Sequence, residues 1–260
     1  MVVDRTTGES FLLSNNHVLA HSNAGLQGDP ILQPGPIDGG QNPADVVARL
    51  ERFIPITFID DPSQPPTPTP PPEPEPGNGS EPTGCLAAVT GLSKLLGSVS
   101  GGRKTTTTAS AVGSPAAVIR MVTTAQAATA TNVADCALAR PVNPAMFTDD
   151  ILNIGIVSGV KTPTLGMQVR KSGRTTGLTQ STVTLLNATV DVGYVTNQGD
   201  RTARFTGQII CEPMSQGGDS GSLVVDFDNH AVGLLFAGSN LSTIFTPIEI
   251  VLNALNVKFK

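Results

Sequence analysis

The most specific chemical signal in the chain is Ser215-Gln216-Gly217-Gly218-Asp219-Ser220-Gly221-Ser222. A hydroxyl nucleophile needs a sharply turned backbone that exposes its oxygen and aims nearby N–H groups at a developing oxyanion. Glycines beside Ser220 permit such a turn, because glycine accepts positive φ without steric cost. In that geometry the N–H groups of Gly218 and Ser220 form an oxyanion hole, and one such donor is typically worth about 10²–10³ in rate. The competing reading of these residues is a Gly-rich turn between two strands.

A serine nucleophile needs a base, and histidine is the usual choice because its ordinary pKa lies near neutrality. His17 follows an apolar strand end in Leu13-Ser14-Asn15-Asn16-His17-Val18, His21 lies in a polar stretch, and His230 sits in an Asp-Asn-His turn that reads as solvated surface. His17 is the candidate base, with a structural histidine as the alternative. The third partner must be a carboxylate that orients the imidazole and stabilises its cation. Asp135 stands immediately before the apolar run Cys136-Ala137-Leu138-Ala139. Aspartate is rarely buried without a partner, so this one calls for a partner or caps the strand through a turn.

The elements that must position these residues read as β throughout both ends of the chain. Residues 2–3 and 10–13 predict a hairpin around Thr6-Thr7-Gly8, and residues 46–50 and 53–59 are strand-like. Residues 28–43 read as loop. From residue 133 onward, strands are predicted near 136–139, 151–157, 167–171, 181–195, 203–212, 222–227 and 230–237, with a closing helix over Ile248–Leu255. Short strands at such regular spacing suggest barrels or sandwiches. Between the two β regions the composition breaks. Residues 61–83 are dominated by proline and read as an extended tether, with an SH3-type ligand as the rarer alternative. Residues 84–131 read as a helical and low-complexity insertion, the type of 115–131 being unsettled.

Bulk composition agrees with a turn-rich β protein. The 260 residues include 27 Gly and 21 Pro, only 14% are charged, and Trp is absent, so Val, Ile, Leu and Ala must build the core. A net charge of −5 leaves no footprint for nucleic acid. No apolar run approaches a membrane span. The N-terminus lacks the features of a signal peptide, which taken literally implies a cytosolic protein; a truncated start would leave secretion open. Cys85, Cys136 and Cys211 lack metal-ligand spacing and read as small buried hydrophobes, with one disulfide plus a free thiol as the alternative.

Ser-Asn-Asn-His-Val, Asp-x-Ala-Leu and Gly-Gly-Asp-Ser-Gly-Ser, in that order, resemble the three catalytic blocks of chymotrypsin-like (trypsin-like) serine peptidases of bacterial type. Lys171-Ser172-Gly173-Arg174-Thr175-Thr176-Gly177 resembles a stretch of the second barrel in secreted actinobacterial enzymes. Gly35-Pro36-Ile37-Asp38-Gly39-Gly40 and the long insertion are similar to the narrow-leaf type group. The resemblance implies two antiparallel six-stranded β-barrels with the site in the cleft between them. Residues 1–60 and 132–147 would supply the first barrel and its link, and residues 148–260 the second barrel and the C-terminal helix.

It further implies a serine endopeptidase working through His17, Asp135 and Ser220 on protein or peptide substrates, with no metal or organic cofactor. An idle barrel scaffold and a small-ester hydrolase are the alternatives; oligomeric state is left open. Three departures from the family pattern stand out: an unusually long stretch between His17 and Asp135, only Val2-Val3 ahead of the first hairpin, and no activation site of the Ile-Val-Gly-Gly type. With no activation site, another cation should hold Asp219, and the position matching the actinobacterial basic residue is Lys171, with Arg174 as substitute. The matching pocket floor is Met214, the far wall Leu234–Gly238 including Phe236, and Gly238 would leave the entrance open, which suits an uncharged P1 residue.

Overall fold

The computed structural model describes residues 1–59, 119–121 (backbone only) and 130–260. The Pro-rich tether and most of the predicted helical insertion lie outside the described residues. In chain order the strands are β1 (Val2–Asp4), β2 (Ser10–Ser14), β3 (Pro30–Leu32), β4 (Val46–Phe53), β5 (Ile119–Met121), β6 (Thr131–Asn132), β7 (Ala137–Pro141), β8 (Asp150–Ile151), β9 (Gly155–Ile156) and β10 (Gly159–Val160). They continue with β11 (Gln168–Gly173), β12 (Gly177–Thr196), β13 (Gly199–Cys211), β14 (Leu223–Val225), β15 (His230–Gly238), β16 (Thr243–Pro247) and β17 (Val257–Phe259). Two short helices, α1 (Asn16–Leu19) and α2 (Ile248–Ala254), complete the set.

The strands form two antiparallel six-stranded bodies, the chymotrypsin-like architecture. The first runs β17-β1-β2-β7-β4-β3. In the second, β12-β11-β14-β15-β16-β13 closes on itself, because β12 also pairs with β13. Closure removes exposed sheet edges, which would otherwise invite edge-to-edge association. The short strands β5, β6 and β10 add to the outside of this ring. The C-terminal strand β17 returns to the first body and pairs with β1, so the chain's two ends are laced together.

Apolar alternation sets each register. Along β4 the buried residues Ala48 and Leu50 meet Ala137 and Ala139 of β7 with Leu19 and Ala20, filling the first body. The second is filled by Val169, Val183, Ile209, Val224, Val232, Leu235 and Phe245. A third cluster lies where the bodies meet: Val2, Phe11, Cys136 and Leu138 pack against Leu234, Ile248, Val251, Leu252 and Leu255.

Three local expectations need correction. Residues 28–43 are not all loop: β3 is an edge strand beginning at Pro30, where a missing N–H costs no ladder bond, and Pro36–Asp38 forms a 3-10 turn. Residues 54–59 make no strand despite their β-branched side chains. They leave β4 and cross to the second body, where Ile56 and Phe58 are buried beside Tyr194 and Phe205. Finally, residues 119–121 and Thr131, assigned to the helical and low-complexity insertion with their own type unsettled, are strand, and β6 runs on to Asn132.

Gly233 of β15 exposes how tightly the second barrel is packed. A Cβ there would collide with the Phe245 ring and approach Thr246 O to 2.8 Å. Gly233→Ala is therefore expected to lower unfolding free energy by about 1–3 kcal/mol, read from urea or thermal denaturation.

Candidate active site

His17 lies in α1, a single helical turn held by Leu19 N–H to Asn15 O (3.0 Å) and Ala20 N–H to Asn16 O (2.7 Å). After it the backbone takes positive φ at three consecutive residues, His21, Ser22 and Asn23 (48°, 56° and 81°). That conformation is uncommon for non-glycine residues, and side-chain amides hold it. Asn16 Nδ2 donates to Asn23 Oδ1 (2.8 Å) and Ile54 O (2.8 Å), while Asn23 N–H donates to Asn16 Oδ1 (3.0 Å). Asn23 also brackets residue 56, donating to Ile56 O (2.7 Å) and accepting from Ile56 N–H (2.8 Å).

Asp135 is wholly buried between Ala134 and Cys136. Its Oδ2 lies 2.5 Å from His17 Nδ1, and its Oδ1 accepts the His17 backbone N–H at 3.2 Å. Asn15 Nδ2 donates to the Asp135 carbonyl at 2.8 Å, fixing that backbone against the end of β2. Tyr194 of β12, from the opposite barrel, donates its hydroxyl to Asp135 Oδ2 at 3.0 Å. The His17 side chain itself is 22% exposed.

The Ser220 loop is shaped by contacts on both sides. Gly218 and Gly221 have φ of 97° and 84°. A Cβ at Gly221 would collide with Ser14 Oγ, so this glycine lets the loop rest on the strand that leads to His17. Asp219 N–H donates to Gln216 O (3.1 Å) and Gly221 N–H to Leu235 O (2.9 Å). Between them, the N–H groups of Gly218 and Ser220 donate to no described acceptor. Both amides lie at or beside a half-buried serine. Neither Ser220 Oγ nor His17 Nε2 has a hydrogen-bond partner among the described residues, so the bond between His17 and Asp135 is the part of the expected trio that is seen.

Asp219 is buried completely and heavily bonded. Oδ1 accepts N–H groups of Thr175 (2.8 Å) and Thr176 (3.1 Å). Oδ2 accepts Thr176 Oγ1 (2.7 Å), Gln216 N–H (3.0 Å) and Lys171 Nζ (3.2 Å). Burial pushes the Asp219 carboxyl up, but these hydrogen bonds outweigh it and leave it below the ordinary carboxylate value. Lys171 is fully buried too, and Gly177 O takes a second of its protons at 3.1 Å. Gly173 makes the approach possible, since a Cβ there would strike the Asp219 carboxylate. Arg174 turns instead to Asp38 of the first body, with Nε 2.7 Å from Oδ2.

The residues expected around the specificity pocket all lie in the second body. Met214 is 5% exposed in the second barrel's core, its N–H bonded to Thr243 Oγ1 (3.0 Å). Phe236 is buried against Phe205, ring centroids 4.9 Å apart. Gly238 faces Ser215 Oγ, which would lie 2.7 Å from an added Cβ. Cys136 and Cys211 are free, and burial pushes both thiols up, Cys211 to about 11. Among the described residues the one compact metal-type grouping is Asp226, Asp228 and His230, and Lys161 Nζ already sits 2.6 Å from Asp226 Oδ2. No described helix is long and apolar enough to cross a membrane.

Sequence reading did not single out Tyr194, Asn15, Asn16, Asn23 or Thr176. A usable signal existed for Tyr194, the chain's one tyrosine, since a buried phenol needs a hydrogen-bond partner.

No family model and no curated protein matches this chain. Among solved structures it is similar to Thermobifida fusca protease A (23% identity, TM-score 0.39, covering 59% of this chain and 78% of that one). It is also similar to the Nocardiopsis protease (23%, 0.39, 55% and 73%) and Cellulomonas bogoriensis chymotrypsin (22%, 0.37, 55% and 75%).

The Asp219 cage has a defined pH signature. A carboxyl lowered in the fold adds stability that is complete above its unfolded value and fades as pH falls through the folded one. The Tm difference between wild type and Asp219→Asn should thus be widest above pH 4 and narrow below the ordinary value of 3.8. Lys171→Met leaves Asp219 buried without its cation and should cost about 3–5 kcal/mol at neutral pH, measured by chemical denaturation.

Proposed function

We propose that the chain is a serine endopeptidase acting on protein or peptide substrates, with Ser220, His17 and Asp135 as its catalytic residues. The observation that carries this reading is the short contact between His17 Nδ1 and the fully buried Asp135 carboxylate. A carboxylate there keeps the Nδ1 proton in place, so Nε2 has the free lone pair that a general base needs. The partly exposed imidazole edge gives that lone pair access to the cleft.

Ser220 Oγ attacks the substrate carbonyl carbon while its proton passes to His17 Nε2. The carbonyl electron pair becomes an oxyanion, received by the open N–H groups of Gly218 and Ser220. As the tetrahedral intermediate collapses, His17 returns the proton to the departing amine and the C–N bond breaks. Water then gives a proton to the same imidazole and attacks the acyl carbon; the C–O bond to Ser220 breaks, and the imidazole returns the proton to Ser220 Oγ, releasing the acid. Asp135 remains ionised throughout and balances the imidazolium. The Lys171–Asp219 pair supports the reading indirectly, by anchoring the residue that precedes the nucleophile. Met214 and Gly238 are the proposed floor and entrance of the specificity pocket, which would suit an uncharged P1 side chain.

A fluorophosphonate probe tests the assignment. Wild-type protein should label at Ser220, and Ser220→Ala should not label. Peptide hydrolysis should fall roughly 10⁴–10⁶-fold in Ser220→Ala or His17→Ala. Unlabelled wild type, or labelling that persists in Ser220→Ala, refutes it.

A further inference from the structure

We propose that Tyr194 is a positioning residue of this site: its hydroxyl, delivered by the second barrel, orients the Asp135 carboxylate for His17. The inference rests on the peptidase reading above and adds to it a side chain that touches neither substrate nor nucleophile.

The argument begins with Asp135's acceptor geometry. An ionised carboxylate with no solvent contact must be compensated by donors, or the fold bears a large desolvation penalty. Oδ1 takes the His17 backbone N–H, and Oδ2 takes His17 Nδ1 and Tyr194 Oη, at 2.5 and 3.0 Å. The two side-chain donors share one oxygen, so removing the phenol hydroxyl alters the atom that holds the imidazole. The groups facing His17 are Asp135, from the segment before β7, and Tyr194, whose ring lies edge-on at 5.8 Å.

The tyrosine is held as firmly as the carboxylate. It pairs with Arg201 near the end of the long β12–β13 hairpin, beyond the bulges that re-aim β12. Its ring is packed edge-on against Phe58 (5.9 Å) and tilted on Phe205 (6.2 Å). Burial, and then the negative charge of Asp135, hold the phenol well above its ordinary range, so it remains a neutral donor. A phenylalanine would fill the same aromatic niche; the hydroxyl is the part that packing does not require. Because His17 and Asp135 come from the first body and Tyr194 from the second, the arrangement is complete only when the barrels are docked.

Two perturbations test the role. Tyr194→Phe removes only the hydroxyl. It should lower kcat for a peptide substrate about tenfold, leave KM within about twofold, and displace the downfield proton NMR signal of His17 Nδ1–H. In an Asp135→Asn background the same change should have no further effect on kcat, since Tyr194 acts through that carboxylate. Should Tyr194→Phe fail to fold, the chain's one tyrosine allows uniform 3-fluorotyrosine incorporation to alter this phenol's acidity alone and keep its shape. That protein should also show a displaced Nδ1–H signal. Wild-type kcat with an unmoved signal, or a full further loss in the Asp135→Asn background, overturns the proposal. An inert wild-type protein instead overturns the peptidase reading, and Tyr194's role with it.

Discussion

A carboxylate with no access to water dictates much of this architecture. Ionised Asp135 can be kept in the interior only if each oxygen is given donors at close range, and no short stretch of chain can supply them all. The donors come from α1 after β2 and from the far end of β12, and Asn15 fixes the carbonyl of the same residue. Satisfying one charge therefore brings both barrels to a common point. The apolar cluster of Val2, Phe11 and Leu138 with Leu234, Ile248 and Leu252 supplies the non-directional adhesion; the hydrogen bonds supply the angle.

The molecule meets the same electrostatic problem a second time and solves it differently. Asp219 receives three backbone N–H groups, a threonine hydroxyl and a buried lysine. These donors surround both carboxylate oxygens. That makes the Asp219 cage a rigid mount. Asp135, by contrast, is bonded to an imidazole that is itself partly exposed.

Close approach in these two regions depends on missing side chains. Gly173 lets Asp219 sit against β11, and Gly221 lets the serine loop rest on Ser14. Both contacts join segments far apart in sequence, so a methyl group at either position would separate surfaces rather than merely strain a turn. Gly218 adds a positive φ beside two amides that have no acceptor among the described residues.

How much of this was legible beforehand depended on the range of the interaction. Ser220 among its glycines, His17 after an apolar strand and Asp135 before another are local patterns of residue type, and they were sufficient to choose three candidates. β-Branched composition and the spacing of turn residues likewise revealed most strands, and Ile248–Leu255 read as helix, which the fold ends at Ala254. Strands β16 and β17 escaped notice, β16 because Thr243–Thr246 is buried throughout and shows no alternation. Residues 54–59 misled because β-branched composition reports a preference for extended backbone, not a ladder partner. The sequence by itself determined which residue types were available for chemistry and roughly which segments were extended. Only the tertiary structure decided that Tyr194 would meet Asp135 and that, of the two cations offered for Asp219, Lys171 would take it while Arg174 turned to Asp38. Those choices follow from the desolvation cost of buried charge and from the geometry of two docked barrels, and neither quantity exists until the chain has closed on itself.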